Sequence, residues 1–263
     1  MNTSKVFVKA VSIVQNIAPS IKKIAKEVPE SGLPISRWDD PIPMPWEVFE
    51  AKKKAYLNKL YETYFDEKGK VIPEIKAFLD ETVFNIKTGG GKEQKETIST
   101  IKDYLKKSIH EKSNITGELF HGSMNPDKIV SEGFDPKRIS RTNLGPGFYF
   151  SSESVAREYG GVVVATIKDS GAICAKADDR FYENLVSGDV ANKLTDFLGF
   201  KKEFCEESMI QREFLSTIVN RYSRDYIVED LGVDALCGFG GATPFDYCTC
   251  VLNTDIFKSI AKR

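Results

Sequence analysis

The chain has 263 residues, of which 41% are hydrophobic and 29% charged, with a formal net charge of -1. This length accommodates one large domain or two modest ones with a sizeable buried core, and the near-neutral balance gives no global signal for nucleic acid. The charge is uneven: residues 1–115 hold 20 Lys/Arg against 16 Asp/Glu, and residues 116–263 hold 17 against 22, a difference that salt screens. The five cysteines all lie in the C-terminal half without framework-like spacing, which fits reduced thiols in a cytoplasmic setting better than a disulfide scaffold. With only two histidines, a four-ligand zinc site has too few ligands, so no metal is expected. No run approaches the roughly 18 apolar residues needed to span a bilayer, and the N-terminus has no long apolar segment of the secretory kind.

The predicted elements run as follows. Val8, Val11, Val14, Ile17, Ile21, Ile24 and Val28 recur at helical spacing, interrupted by Pro19. This stripe reads as a helix that either packs on the rest of the chain or serves as a surface anchor. Five prolines between residues 29 and 45 rule out regular structure and mark a linker or strap, with Trp38 and Trp46 at its end. Residues 1–45 are thus expected as an amphipathic helix and linker, and residues 46–113 as a helical module. One helix of that module carries Phe49, Leu57, Leu60, Tyr61 and Tyr64. A second opens at Pro73 with Ile75, Phe78 and Leu79. A third is expected through Ile98, Ile101, Leu105 and Ile109, after the break at Gly89-Gly90-Gly91. From residue 114 short β-type runs alternate with helices, at Gly117–His121, Gly147–Ser151, Val162–Ile167, Ala172–Ala175, Val233–Leu236 and Tyr247–Leu252, with a helix near Glu203–Tyr222. That order predicts an α+β domain over residues 114–263.

Within it, His121-Gly122-Ser123 stands at a strand end. Gly145-Pro-Gly147-Phe-Tyr149-Phe-Ser151 follows, and Tyr159 comes ten residues after Tyr149. Ser152 and Glu153 form a cap and acidic first turn for a helix that brings Tyr159 back towards Tyr149. Two tyrosines so placed can sandwich a flat ring; each alone also reads as a core tyrosine. A glycine lets a ligand approach the backbone closely.

This string resembles the NAD-binding core of poly(ADP-ribose) polymerase-like ADP-ribosyltransferases of the His-Tyr-Glu type. The resemblance implies a split β-sandwich around an NAD cleft. It implies that Gly122 binds the nicotinamide carboxamide, that His121 and Ser123 meet ribose hydroxyls, that Gly147 lies against the ligand, and that Tyr149 and Tyr159 form the ring slot. Arg138 or Arg141 would meet the pyrophosphate, or else lie solvated at the surface. The family's glutamate is missing. Aligning Val251-Leu252-Asn253 puts Cys248 in its place, so Asp246 is the preferred carboxylate, two residues earlier on the same strand face, or merely a turn cap.

The expected function is NAD-dependent mono-ADP-ribosyl transfer, with His121, Tyr149 and Asp246 catalytic and NAD as donor. The acceptor is a protein or nucleic acid. The architecture is similar to bacterial or phage toxins and effectors that act in the cytoplasm or a host cytosol, with residues 1–112 meeting a target, antitoxin or chaperone. The alternatives are a degenerate NAD- or ADP-ribose-binding module, and a structural or assembly protein acting through its N-terminal helices.

Overall fold

The computed structural model describes residues 45–88, 95–135, 139, 144–178, 181–186, 188–202, 206–239 and 247–263. The apolar stripe of residues 4–28, the proline-rich strap before residue 45 and the glycine break at 89–91 lie outside the described residues. In chain order the helices and strands begin with α1 (Trp46–Tyr64), α2 (Pro73–Glu81), β1 (Phe84–Thr88), β2 (Lys95–Ser99), α3 (Ile101–Ser108), β3 (Ile109–Ile115) and β4 (Glu118–Ser123). They continue with α4 (Pro126–Glu132), β5 (Phe148–Phe150), α5 (Glu153–Glu158), β6 (Gly161–Ile167), β7 (Ala172–Ala177), α6 (Phe181–Val186) and α7 (Asp189–Leu198). The last are α8 (Glu206–Asp225), β8 (Ala235–Phe239), β9 (Tyr247–Val251) and β10 (Phe257–Lys262). The fold is mixed α+β. No helix of the described residues is long and apolar enough to cross a membrane.

The chain forms two compact units that interleave in sequence. The first takes described residues up to Asn85, Ile98–Ile101 and Val186–Tyr222; the second takes Ile86–Thr97, Lys102–Leu185 and Ser223–Arg263. The expected boundary at 113/114 therefore does not hold: residues 186–222 join the helices of the first unit, and residues 102–113 join the second. The expected third helix is also shorter. Ile98 belongs to β2, and Ile109 opens β3 opposite Ala177. β-Branched residues before Ile101 favour an extended ribbon there.

In the first unit, Leu60, Tyr64, Ile75, Leu79, Leu194 and Ile218 are fully buried. Pro73 opens α2, where its missing N–H has no intrahelical partner to lose. Phe214 packs on Tyr64 and Phe65, with ring centroids 5.8 and 5.7 Å away. The amide of Gln211 donates to Tyr56 Oη at 2.9 Å and to Glu207 Oε1 at 3.1 Å, which satisfies part of a buried polar seam.

The second unit is built on two sheets, one of three strands in the order β10-β6-β4 and one of five in the order β3-β7-β8-β9-β5. Neighbours are antiparallel except β7 and β8, which run parallel. β6 reads as a continuous apolar run because both its faces are covered. Val163, Ala165 and Ile167 join Ala172, Cys174, Ala235 and Val251 of the larger sheet in one core cluster. Val162 and Val164 on the opposite face pack with Ala156 of α5 and with Phe120. Phe134 and Phe150, at 6% and 1% exposure, seal one end of the shared core against Phe257.

Candidate functional site

The alternation of a strand fixes where its backbone groups point. Within the register of β4 on β6, Gly117 stands opposite Ile167, and Gly117 O accepts from Ile167 N at 2.9 Å. Odd-numbered residues of β4 therefore bond to β6, and Glu118, Phe120 and Gly122 turn their N–H and C=O the other way. Two bonds agree with that parity. Phe120 O accepts from Ser151 N at 3.0 Å, across the one bridge that joins β4 to the end of β5, and Val162 O, opposite Gly122, faces away to accept from Arg263 N. β4 is the edge of its sheet. Beyond the Ser151 bridge, the Gly122 N–H and C=O thus project from an open edge, and neither has a protein partner among the described residues.

His121 stands next to this peptide. Its Nδ1 lies 2.8 Å from Tyr149 O. A carbonyl only accepts, so Nδ1 carries the proton and donates, leaving Nε2 as an acceptor in the neutral ring. Burial lowers the imidazole's proton affinity below the ordinary value of 6.5, opposed by the bond to Tyr149. The ring packs edge-on to Phe134 at 5.3 Å and near Phe150 at 5.6 Å, an apolar setting that disfavours the imidazolium.

Tyr149 is pinned from its far end. Its hydroxyl donates to Gly145 O at 2.8 Å, and the Cys250 thiol contacts the same oxygen at 3.6 Å. Burial drives the Tyr149 phenol far above its ordinary range, so it stays protonated and remains a donor. Gly145 sits at φ 111°, which favours glycine. Tyr159, by contrast, ends α5 and is 39% exposed. Ser152 caps that helix as expected, its hydroxyl accepting from Val155 N.

The glycines carry a second explanation. A Cβ on Gly122 would lie 2.0 Å from Ala156 O and 2.7 Å from the Tyr159 Cβ. On Gly147 it would lie 2.5 Å from Val251 O and 2.6 Å from the Cys250 sulfur. The missing side chains therefore let α5 close on β4 and the Gly145–Gly147 turn close on β9. Clearance for a ligand is not what the absent Cβ atoms serve. The exposed Gly122 peptide is a separate property, set by strand parity.

A cavity of about 220 Å³ opens beside this edge, lined by His121, Ser123, Gly147 and Tyr149. Four of the expected site residues thus meet in one place, with Gly122 adjacent in β4. Ser123 Oγ accepts from Asn125 N at 3.0 Å and still has a proton to donate. Arg138, Arg141 and Asp246 lie outside the described residues. Cys248, which the sequence resemblance aligned with a glutamate, is 4% exposed and faces the interior. The cavity also recruits Lys128, Ile129 and Glu132 of α4 and the following Phe134 and Asp135, which the sequence motif did not single out. The available signal was Asn125-Pro126, a helix start directly after Ser123. No family model, curated protein or solved structure matches the chain.

Proposed function

We propose that the protein is an NAD-dependent mono-ADP-ribosyltransferase with a split-sandwich transferase domain, moving ADP-ribose from NAD to a macromolecular target and releasing nicotinamide. The observation that carries this reading is the Gly122 peptide on the edge of β4, whose N–H and C=O have no protein partner among the described residues. A nicotinamide carboxamide offers one acceptor oxygen and one donor NH2, and a strand-edge residue offers the matching N–H and C=O on one side. The neighbouring groups suit the attached riboses: neutral His121 accepts a hydroxyl proton at Nε2, and Ser123 donates one. Tyr159, whose Cβ lies close to Gly122, supplies an exposed ring outside the cavity lining, and Tyr149 lines the cavity with its hydroxyl bonded to Gly145 O.

Loss of nicotinamide leaves an oxocarbenium-like ribose, which a carboxylate stabilises electrostatically. Asp246 is proposed for that role, with the acceptor held on the far face of the sugar by proximity. A toxin or effector setting, with residues 1–112 meeting the target or an inhibitor, completes the proposal. Described β9 has the sequence Tyr-Cys-Thr-Cys-Val and contributes no carboxylate, which favours a binding-only module as the second reading.

The test is release of free nicotinamide from NAD by the pure full-length protein, with and without cell lysate, alongside NAD binding. Release supports transfer. Binding without release favours the binding module. Neither binding nor release overturns both.

A further inference from the structure

We propose that Lys262 and Arg263, adjacent at the end of β10, are positioning residues that clamp the two helices flanking the Gly122 edge and so set how tightly the site holds a dinucleotide. The inference rests on the NAD reading of that site. α4 supplies Lys128, Ile129 and Glu132 to the cavity wall. α5 lies against the Gly122 peptide itself, where a Cβ would meet Ala156 O at 2.0 Å. α4 has 7 residues and α5 has 6. Helices this short are marginal on their own hydrogen bonds, so their places depend on what ties them to the sheet.

Strand alternation sends the two side chains to different helices. β10 pairs antiparallel with β6, with Ala261 opposite Val164 and Lys262 opposite Val163. Arg263 continues the ladder, its N–H donating to Val162 O at 3.0 Å. Opposed residues share a face and successive residues alternate. Lys262 therefore shares the core face of Val163, on which Ile129 of α4 also packs. Arg263 shares the face of Val162, which packs with Ala156 of α5 and with Phe120. Lys262 Nζ lies 2.9 and 3.0 Å from the two carboxylate oxygens of Asp127, in the first turn of α4. Arg263 Nη1 lies 3.0 Å from Glu153 Oε2, in the first turn of α5, and its guanidinium stands 5.5 Å over the Phe120 ring of β4.

Arg157 also meets Glu153, but from within α5, so that pair does not tie the helix to the sheet. The clamping pairs are open to solvent, the Lys262 and Arg263 side chains each being 51% exposed, and such pairs add little to global stability. Their effect is local. They fix the first turn of each helix, and the groups that shape the site follow in the next turn: Ala156 and Tyr159 against Gly122, Ile129 and Glu132 on the cavity. Loss of one pair should weaken dinucleotide binding about threefold, and loss of both about tenfold.

The experiment combines calorimetric titration of the full-length protein with NAD and amide hydrogen exchange read by NMR. Wild type is compared with Lys262→Met, Arg263→Met, the double Met variant, and the conservative Lys262→Arg and Arg263→Lys. Lys262→Met should speed exchange of the Ile129 and Gly133 amides of α4, and Arg263→Met that of the Ala156 and Tyr159 amides of α5. Urea midpoints should stay nearly constant, which separates positioning from a general loss of stability. Each Met variant should bind NAD about threefold more weakly, the double variant about tenfold, and the conservative variants much as wild type does. High salt should bring wild type towards the double variant. Asp127→Asn should match Lys262→Met, and combining the two should cost nothing further. Unchanged exchange in both helices overturns the clamp whether or not NAD binds. Faster exchange with NAD affinity unmoved overturns the positioning role and leaves the NAD reading standing. Wild type that does not bind NAD overturns the site reading and the positioning role with it.

Discussion

Acidification should destabilise the second unit through His121. In the folded state its proton affinity is lowered by burial, while the unfolded chain titrates at the ordinary value of 6.5. Above that value both states are neutral and the group contributes nothing. As pH falls below it, the unfolded chain binds a proton that the folded one refuses, and stability is lost until the depressed folded value is reached. Each tenfold loss of proton affinity in the folded state corresponds to about 1.4 kcal/mol at the acid end. The structural cause is local: an imidazolium would sit among Phe134 and Phe150, at 5.3 and 5.6 Å, with one carbonyl for company. Urea unfolding of wild type and His121→Asn between pH 5 and 7.5 measures it, because an asparagine amide can still donate to Tyr149 O but does not titrate. The wild-type curve should fall relative to the variant on acidification. His121 is one of only two histidines, so its ring resonance is assigned by a single variant and should titrate below 6.5. Parallel stability curves, or a resonance titrating above 6.5, would refute the reasoning. Nicotinamide release should hold steady down to the same depressed value and fail below it, since protonated Nε2 no longer accepts.

Three further outcomes are expected. Gly122→Ala forces a methyl against Ala156 O and should cost about 1–3 kcal/mol by denaturant unfolding; an unchanged midpoint would mean that α5 yields freely. Tyr149→Phe loses one buried hydrogen bond and should cost about 1–2 kcal/mol, because Gly145 O keeps only the weak thiol contact. It is a cleaner probe of the slot than Tyr149→Ala, which removes a pinned, largely buried ring as well. Asp246→Asn should abolish nicotinamide release and Cys248→Ala should leave it within a fewfold, because Cys248 is buried at 4% exposure; the reverse ranking would move the catalytic position to the cysteine.

What could be read in the sequence was what local pattern encodes. β6 was legible because a strand covered on both faces writes an unbroken apolar run, and α5 because Ser152 and Glu153 announce a helix start. β3 and β10 were not, because edge strands with largely exposed residues look like polar loop. The division into units was hidden for a different reason. α7 and α8 pack with helices more than a hundred residues earlier, and no linear order reveals that. At the site, His121, Ser123 and Tyr149 were readable because strand ends and a glycine turn place them within short stretches of chain. Glu132 and Asp135 carry no local signal of their own, since only the burial of Phe134 between them puts them at a cavity.

The open edge at Gly122 is where local and global constraints meet. An unpaired strand edge invites adventitious pairing, and proteins commonly cover or charge it. β4 is covered at Phe120 by Ser151, and that bridge is isolated because β5 is only three residues long and spends its pairing on β9. The next outward-facing peptide, Gly122, falls past the end of that cover. Its other side is crowded by Ala156 and Tyr159, so only glycine fits and no side chain can fold over the free groups. Lengthening the bridge would pair Gly122 and close the edge; removing α5 would relax the demand for glycine. The structure does neither. Among the described residues it keeps a donor and an acceptor unpaired beside a neutral histidine and a cavity, an arrangement that contributes nothing to stability. In the proposed function, that donor and acceptor, next to groups that suit a ribose, are the partners of the nicotinamide carboxamide.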